Sequence, residues 1–193
     1  MSSIGPKYEP DYHFKAAARL HQSAYRANVL KVDFDKYGNR LTELASRALL
    51  NYYDGLGVRE TLRQRYPTYS KSRDADMLRS EHIPFNLFAP LLGRPELAHH
   101  LLYRFLGVEL LPPYQIGPEW APKPADKYLG DRTSFDTYIK GADDHGRVVG
   151  VGIEVKYTEQ GYRLGPSEAL RVKNQESTYW TTTRKSGVFT NSG

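Results

Sequence analysis

Residues 134–158 read SFDTYIKGADDHGRVVGVGIEVKYT and carry the alternation that decides the fold. In the second half, Val149, Val151, Ile153, Val155 and Tyr157 alternate with Gly150, Gly152, Glu154, Lys156 and Thr158. A period of two sends the two sets to opposite faces of a strand, one apolar and one polar. The first half keeps the same rule, with Phe135, Thr137 and Ile139 on one side and Ser134, Asp136, Tyr138 and Lys140 on the other. Between them Gly-Ala-Asp-Asp-His-Gly has the composition of a turn. Folding back about His145 sets Asp136 opposite Glu154, where facing side chains lie about 5 Å apart. Two carboxylates at that distance repel unless a cation or a proton joins them, so the polar face reads as a candidate metal-dependent site.

The rest of the composition bounds what surrounds this hairpin. With 193 residues, 39% hydrophobic and 25% charged, the chain is long enough to build a real core. No run of about 18 apolar residues and no basic-then-apolar leader is present, so neither a membrane span nor a secretory signal is expected, and the compartment expected is the cytoplasm. The absence of cysteine excludes disulfides and thiolate zinc sites and leaves carboxylate or histidine metal sites open. A net charge of +5 favours a polyanionic partner only modestly. Arg59, Arg63, Arg65, Lys71 and Arg73 cluster against Glu60 and Asp74, which fits either a solvated helix face or a phosphate-contacting one.

Along the chain, a helical region over 1–107 precedes a sheet-containing core over 108–193, the two expected to form one folded unit. Helical spacing predicts helices over about 11–31, over 41–56 (Leu44, Ala45, Ala48, Leu49, Tyr52, Tyr53, Leu56) and over 74–92, where Pro84 kinks the helix or starts a new one. A fourth begins at Pro95 and ends before Gly107. Five prolines in 108–131 predict a loop with at most one short edge strand. Beyond the hairpin, Ser167 is a candidate N-cap for a helix to about 183, and Gly187 to Thr190 could begin a last strand.

Three groups of residues carry the candidate chemistry. Glu154-Val155-Lys156 ends an apolar strand beside two glycines that would clear space and opposite Asp136; the plainer reading is a surface hairpin with an ordinary Glu154–Lys156 ion pair. On a helix, Arg171, Gln175 and Tyr179 at i, i+4 and i+8 form one polar stripe, which lines a groove or faces solvent. Glu81 shares its predicted helix face with Met77, Phe85 and Phe88, so its carboxylate is expected to point inward and to need a metal, Lys156 or an arginine as partner. His82 and the pair His99-His100 invite a zinc assignment, but adjacent histidines on a helix diverge by about 100°, and solvation or simple hydrogen bonding is the expectation.

Asp136 followed by Glu154-Val155-Lys156 after a hairpin resembles the PD-(D/E)xK nuclease superfamily, and Gln175-Glu-Ser-Thr-Tyr179 resembles the Q-x-x-x-Y motif of its RecB-like and exonuclease-like branches. Phe135 stands where proline is common in that superfamily. The resemblance covers about 134–180, with Glu81 in the place of an acidic residue that some members carry on the helix before the sheet. It implies an α/β, restriction-endonuclease-like fold: a mixed sheet core flanked by helices, ordered αβββαβ, with an N-terminal helical region. Only 37 residues follow Lys156, so the sheet is expected to be completed beyond this chain or by a partner such as a second copy in a homodimer.

By that resemblance the activity is metal-dependent hydrolysis of phosphodiester bonds, with DNA the expected nucleic acid. Mg²⁺ or Mn²⁺ would be held by Asp136, Glu154 and the Val155 carbonyl, with Glu81 in reach. Oxygen donors suit these ions. Lys156 would position or deprotonate the attacking water and stabilise charge on the phosphate. Gln175 and Tyr179 would orient Lys156 or contact the nucleic-acid backbone, and Arg171 and Lys173 would bind it. Two other classes stay open: an inactive nuclease-fold module binding nucleic acid or protein, and a glycoside hydrolase using Asp136 and Glu154 as acid and base. A lysine two residues after the glutamate and a basic chain argue against the second.

Overall fold

A computed structural model of the chain describes residues 3–107, 109–128, 133–161 and 164–186. By density of internal contacts it divides into two units, 1–120 with 135–158, and 121–134 with 159–193. The helices of the first 107 residues and the three-stranded sheet therefore share the first unit.

That unit begins with α1, His13–Tyr25, which runs on as a π-helical turn over Arg26–Leu30 and stops at Lys31 in the left-handed conformation (φ 56°). A tight antiparallel ribbon that the sequence reading did not anticipate follows, β1 (Phe34–Asp35) and β2 (Tyr37–Leu41). The fully buried Arg26 ties the two together: its guanidinium donates to the carbonyls of Gly38, Val32, Ser3 and Ile4, so a buried cation is satisfied by backbone acceptors rather than by a counter-ion.

The helix predicted over 41–56 is only one turn and a half, α2, Glu43–Arg47, capped by the Thr42 hydroxyl accepting from the Ala45 N–H at 3.3 Å. It ends because Leu49 adopts φ 57°, which no helix tolerates, and Leu56 does the same at φ 53°. The apolar spacing was real but serves turns: Leu49 and Tyr52 are buried against Val58 and Leu62 of α3 (Val58–Arg65) and Phe85, whereas Leu44 is 83% exposed.

The stretch 74–92 is likewise broken, into the end of α4 (Lys71–Asp74), an irregular segment, α5 (His82–Phe88) and a 3₁₀ turn over Ala89–Leu91. Pro84 sits in the first turn of α5, where its missing N–H costs nothing. α6, Pro95–Leu101, starts at its proline and passes through a π turn to Gly107 (φ 61°), close to the expectation.

The proline-rich segment contains the largest departure. It forms β3, Leu111–Trp120, ten residues long and paired along most of its length with β4, Phe135–Ala142. β4 in turn pairs with β5, Val148–Ile153, in the register Thr137↔Ile153, Ile139↔Val151, Gly141↔Val149. All three strands pair antiparallel in the order β3-β4-β5, so among the described residues the sheet has no parallel strand. Its apolar face, Ile139 with Ile116, Val149, Val151 and Ile153, packs on Phe88, Leu91, Ala98 and Leu102 from α5, α6 and the turns that extend them.

The second unit carries α7, Pro166–Lys173, and α8, Thr178–Ser186. The single helix expected from Ser167 is thus two, with Gly165 at the N-cap position and Pro166 first in the helix. The strand expected over Gly187 to Thr190 lies outside the described residues. No described helix is long and apolar enough to cross a membrane.

Candidate active site

The β4–β5 register sums to the same turn centre as the sequence pattern, and carrying it one step past Thr137↔Ile153 brings Asp136 level with Glu154. Asp136 is half-buried, and its Oδ2 accepts a 2.5 Å hydrogen bond from the Val155 N–H, which fixes the carboxylate against the end of β5. Burial pushes the Asp136 carboxyl above the ordinary range, the Val155 N–H pulls it back, and the charges of Glu154 and Glu81 push it up again while Lys156 opposes them. Two acids and one lysine therefore act on the Asp136 carboxyl, near the start of the central strand.

Around it the partners are uneven. Lys156 Nζ donates to Glu154 Oε1, and both side chains stay more than half exposed. Glu81 is not on the face of a helix as expected: it immediately precedes α5, about one-third exposed, and holds Arg79 through two bonds at 2.5 and 2.7 Å. An arginine is thus its partner, one of the three foreseen. No three or more histidine, aspartate or glutamate side chains among the described residues group closely enough to make a metal site of their own.

The glycines expected to clear space beside Glu154 do something else. Gly150 and Gly152 leave room for rings: a Cβ on Gly152 would meet the Phe135 ring, and one on Gly150 the Tyr138 ring. Phe135, read from alternation as core, lies instead 44% exposed and stacks near Trp120 and Tyr138, whose own centroids are 4.2 Å apart. Glu119, in the left-handed conformation at φ 51°, directly precedes Trp120; it is buried, and with burial it pushes the Tyr66 hydroxyl up to about 12. Sequence reasoning missed this carboxylate, and only its position ahead of an aromatic in a proline-rich strand marks it.

The basic cluster is mostly structural. Arg73 grips the buried Asp74 at 2.7 and 2.8 Å, Arg65 donates to the Glu119 carbonyl, Arg59 pairs with Asp54 and Lys71 with Asp35; Arg63 is exposed. His82 is buried, its Nε2 on the Arg73 carbonyl at 2.6 Å, and His99 Nδ1 is bonded to the Leu110 carbonyl.

In the second unit, Gln175 falls in the turn between α7 and α8, so the stripe Arg171, Gln175, Tyr179 is not one helical face. The residues still meet: the Arg171 guanidinium sits 4.9 Å from the Tyr179 ring centre, and Arg184 donates to the Gln175 carbonyl and side chain at 3.4 Å. Lys173 closes α7 as an exposed cation.

A strand-borne aspartate, a hairpin and a glutamate–x–lysine at its far end are the arrangement expected of one family, and a model of the PD-(D/E)XK nuclease superfamily matches residues 9–192. The chain belongs to the PD-(D/E)XK nuclease superfamily. The match extends over both units and over the helical first half, well beyond the hairpin. No curated protein and no solved structure matches the chain. For this PD-(D/E)XK protein the mixed α/β architecture, with a three-stranded antiparallel sheet, is consistent with the superfamily.

Proposed function

We propose that the chain is a metal-dependent nuclease hydrolysing phosphodiester bonds, with DNA as substrate, and that Asp136, Glu154 and Lys156 carry the reaction. The observation that supports this best is the state of Asp136: half-buried, anchored by the Val155 N–H, and raised in proton affinity by burial and by Glu154 and Glu81. A site with that excess of negative charge is suited to a divalent cation, and its hard oxygen donors fit Mg²⁺ or Mn²⁺, which take one or two carboxylates and fill the remaining positions with water and phosphate.

Asp136 and Glu154, with the Val155 carbonyl, would hold the ion, and Glu81 is a further carboxylate whose charge acts on Asp136. When bound, the ion would supply Lewis-acid polarisation of the phosphate and lower the pKa of a coordinated water. The chain's own part is to hold that geometry. The Val155 N–H keeps Asp136 turned toward the end of β5. Lys156, an exposed ammonium paired with Glu154, would hold the attacking water and offset charge accumulating on the phosphate oxygens. Gln175 and Tyr179 would orient the lysine or the backbone of the substrate, and Arg171 and Lys173 would bind that backbone as sequence-independent phosphate contacts.

The test is cleavage of plasmid, linear duplex and single-stranded DNA and of RNA in Mg²⁺ and in Mn²⁺, by wild type, Asp136→Asn and Lys156→Ala. Cleavage by wild type alone supports the reading. Binding without cleavage in every metal would instead favour an inactive nuclease-fold module.

A further inference from the structure

Beside the hairpin's end the first unit has a cavity of about 510 Å³, within the range of sites that take a small organic molecule. Its lining includes Tyr25, Tyr53 and Tyr157, the buried Met77 and His82, and Asn51. Tyr25 and Tyr53 are 44% and 58% exposed and so open to a ligand, while the Tyr157 hydroxyl is steadied by Gln22. The Asn51 amide nitrogen lies against the His82 ring, and its Oδ1 is buried with no hydrogen-bond partner among the described residues.

The charges at the wall are Arg59, paired with Asp54, and Arg79, paired with the adjoining Glu81. Arg59 is held in place, 18% exposed and donating to the Tyr52 carbonyl, while its partner Asp54 is 79% exposed and can yield to another anion; Arg79 and Glu81 are 46% and 32% exposed. The cavity is also tied to the candidate active site by chain continuity. Tyr157 follows Lys156 directly, and Glu81 stands between Arg79 and His82. Planar aromatic walls, a few polar groups and a cationic rim are what a nucleobase with its phosphate requires, because any base offers a face for stacking and an edge for hydrogen bonding.

We propose that this cavity seats the base of one unstacked nucleotide next to the bond that the Asp136–Glu154–Lys156 site would cut, so that the chain prefers single-stranded nucleic acid or an extruded base over intact duplex. The inference rests on the nuclease reading for its position in the substrate, but the binding it describes needs no catalysis.

The experiment uses the full chain with chelator present, so that nothing is cut. Fluorescence anisotropy measures affinity for a single-stranded DNA oligonucleotide, for the same sequence as duplex, and for a nucleoside monophosphate as competitor. A 2-aminopurine in the single strand reports stacking directly. Wild type should bind the single strand more tightly than the duplex and quench the 2-aminopurine. Tyr25→Ala and Tyr53→Ala should each weaken single-strand binding roughly 5- to 100-fold, the value of one lost base–aromatic stack. Duplex affinity, set by phosphate contacts, should move little. Both tyrosines are surface-exposed, and thermal melts verify that the variants fold. Equal loss for single strand and duplex, or no loss in either variant, overturns the proposal, as does a monophosphate that binds without competing with the strand. Loss of single-strand affinity in the variants of a chain that cuts nothing in any metal overturns the activity and leaves the cavity assignment standing.

Discussion

Two ion pairs in the first unit are built in opposite ways. Arg73–Asp74 is closed: Asp74 is fully buried, held by two bonds from Arg73, by the Ser70 N–H and by the Tyr52 hydroxyl, and the Arg73 guanidinium lies over the Tyr66 ring and reaches the Thr68 carbonyl. Lys156–Glu154 is open: both side chains face water, and the carboxylate lies close enough to Asp136 to raise its proton affinity. A buried pair with every acceptor satisfied has nothing left with which to bind a ligand and can only hold the scaffold. An exposed pair costs little to break, so its members are free to exchange partners when a cation or a phosphate arrives. The site is therefore found where pairing is weak.

The largest effect should come from the closed pair. Asp74→Ala strands the Arg73 guanidinium and the Tyr52 hydroxyl, and removing one partner of a buried pair costs about 3–5 kcal/mol. For a chain of this size that is a fall in melting temperature on the order of 10 °C. A fall of only a degree or two in a thermal melt would mean that the network is not the scaffold described. Lys156→Ala should do the reverse. Breaking an exposed pair costs about 0–1 kcal/mol of stability, whereas losing a charge placed at the developing phosphate should slow cleavage roughly 100- to 1,000-fold. Equal changes in melting temperature and in rate would erase the contrast.

The open pair was also the more legible one. The hairpin's register follows from strict alternation about a turn of Asp143, Asp144, His145 and Gly146, because a slip of one residue would exchange its faces. α1 and α6 were readable for the same reason, a clean period with a start and a stop. β3 was legible only as a short edge strand within a loop, because five prolines stand in 108–131; it is an edge strand of the described sheet but ten residues long. Leu49 and Leu56 in left-handed backbone cannot be seen in composition, since leucine almost never goes there without tertiary packing to hold it. The buried Asp74 was visible only as a stray negative charge among arginines. Burial, not sequence, distinguishes a solvated counter-charge from a keystone.

The smallest effect is the most discriminating, because the two regions respond to pH with opposite signs. Burial holds His82, beneath the closed network, below its ordinary value of 6.5, and a depressed histidine contributes stability that is present above about pH 6.5 and lost as pH falls through its folded value. Asp136 is raised above 3.8, first by burial and then by Glu154 and Glu81, so its contribution is complete below about pH 3.8 and is lost as pH rises through its folded value. At neutral pH the ionised Asp136 carboxylate is thus a strain that Asp136→Asn should relieve, since the amide oxygen can still accept from Val155. Its melting temperature should exceed that of wild type at pH 7 and converge with it near pH 3.5. Mg²⁺ should stabilise wild type by roughly 1.4 kcal/mol at ten times its Kd, through binding to the folded state, and should leave Asp136→Asn unmoved. A His82→Gln variant should flatten the acid limb and keep the Mg²⁺ response. If instead Asp136→Asn melts below wild type at neutral pH, and Mg²⁺ shifts both equally, the carboxylate belongs with the scaffold and the division between open and closed pairs fails at its centre.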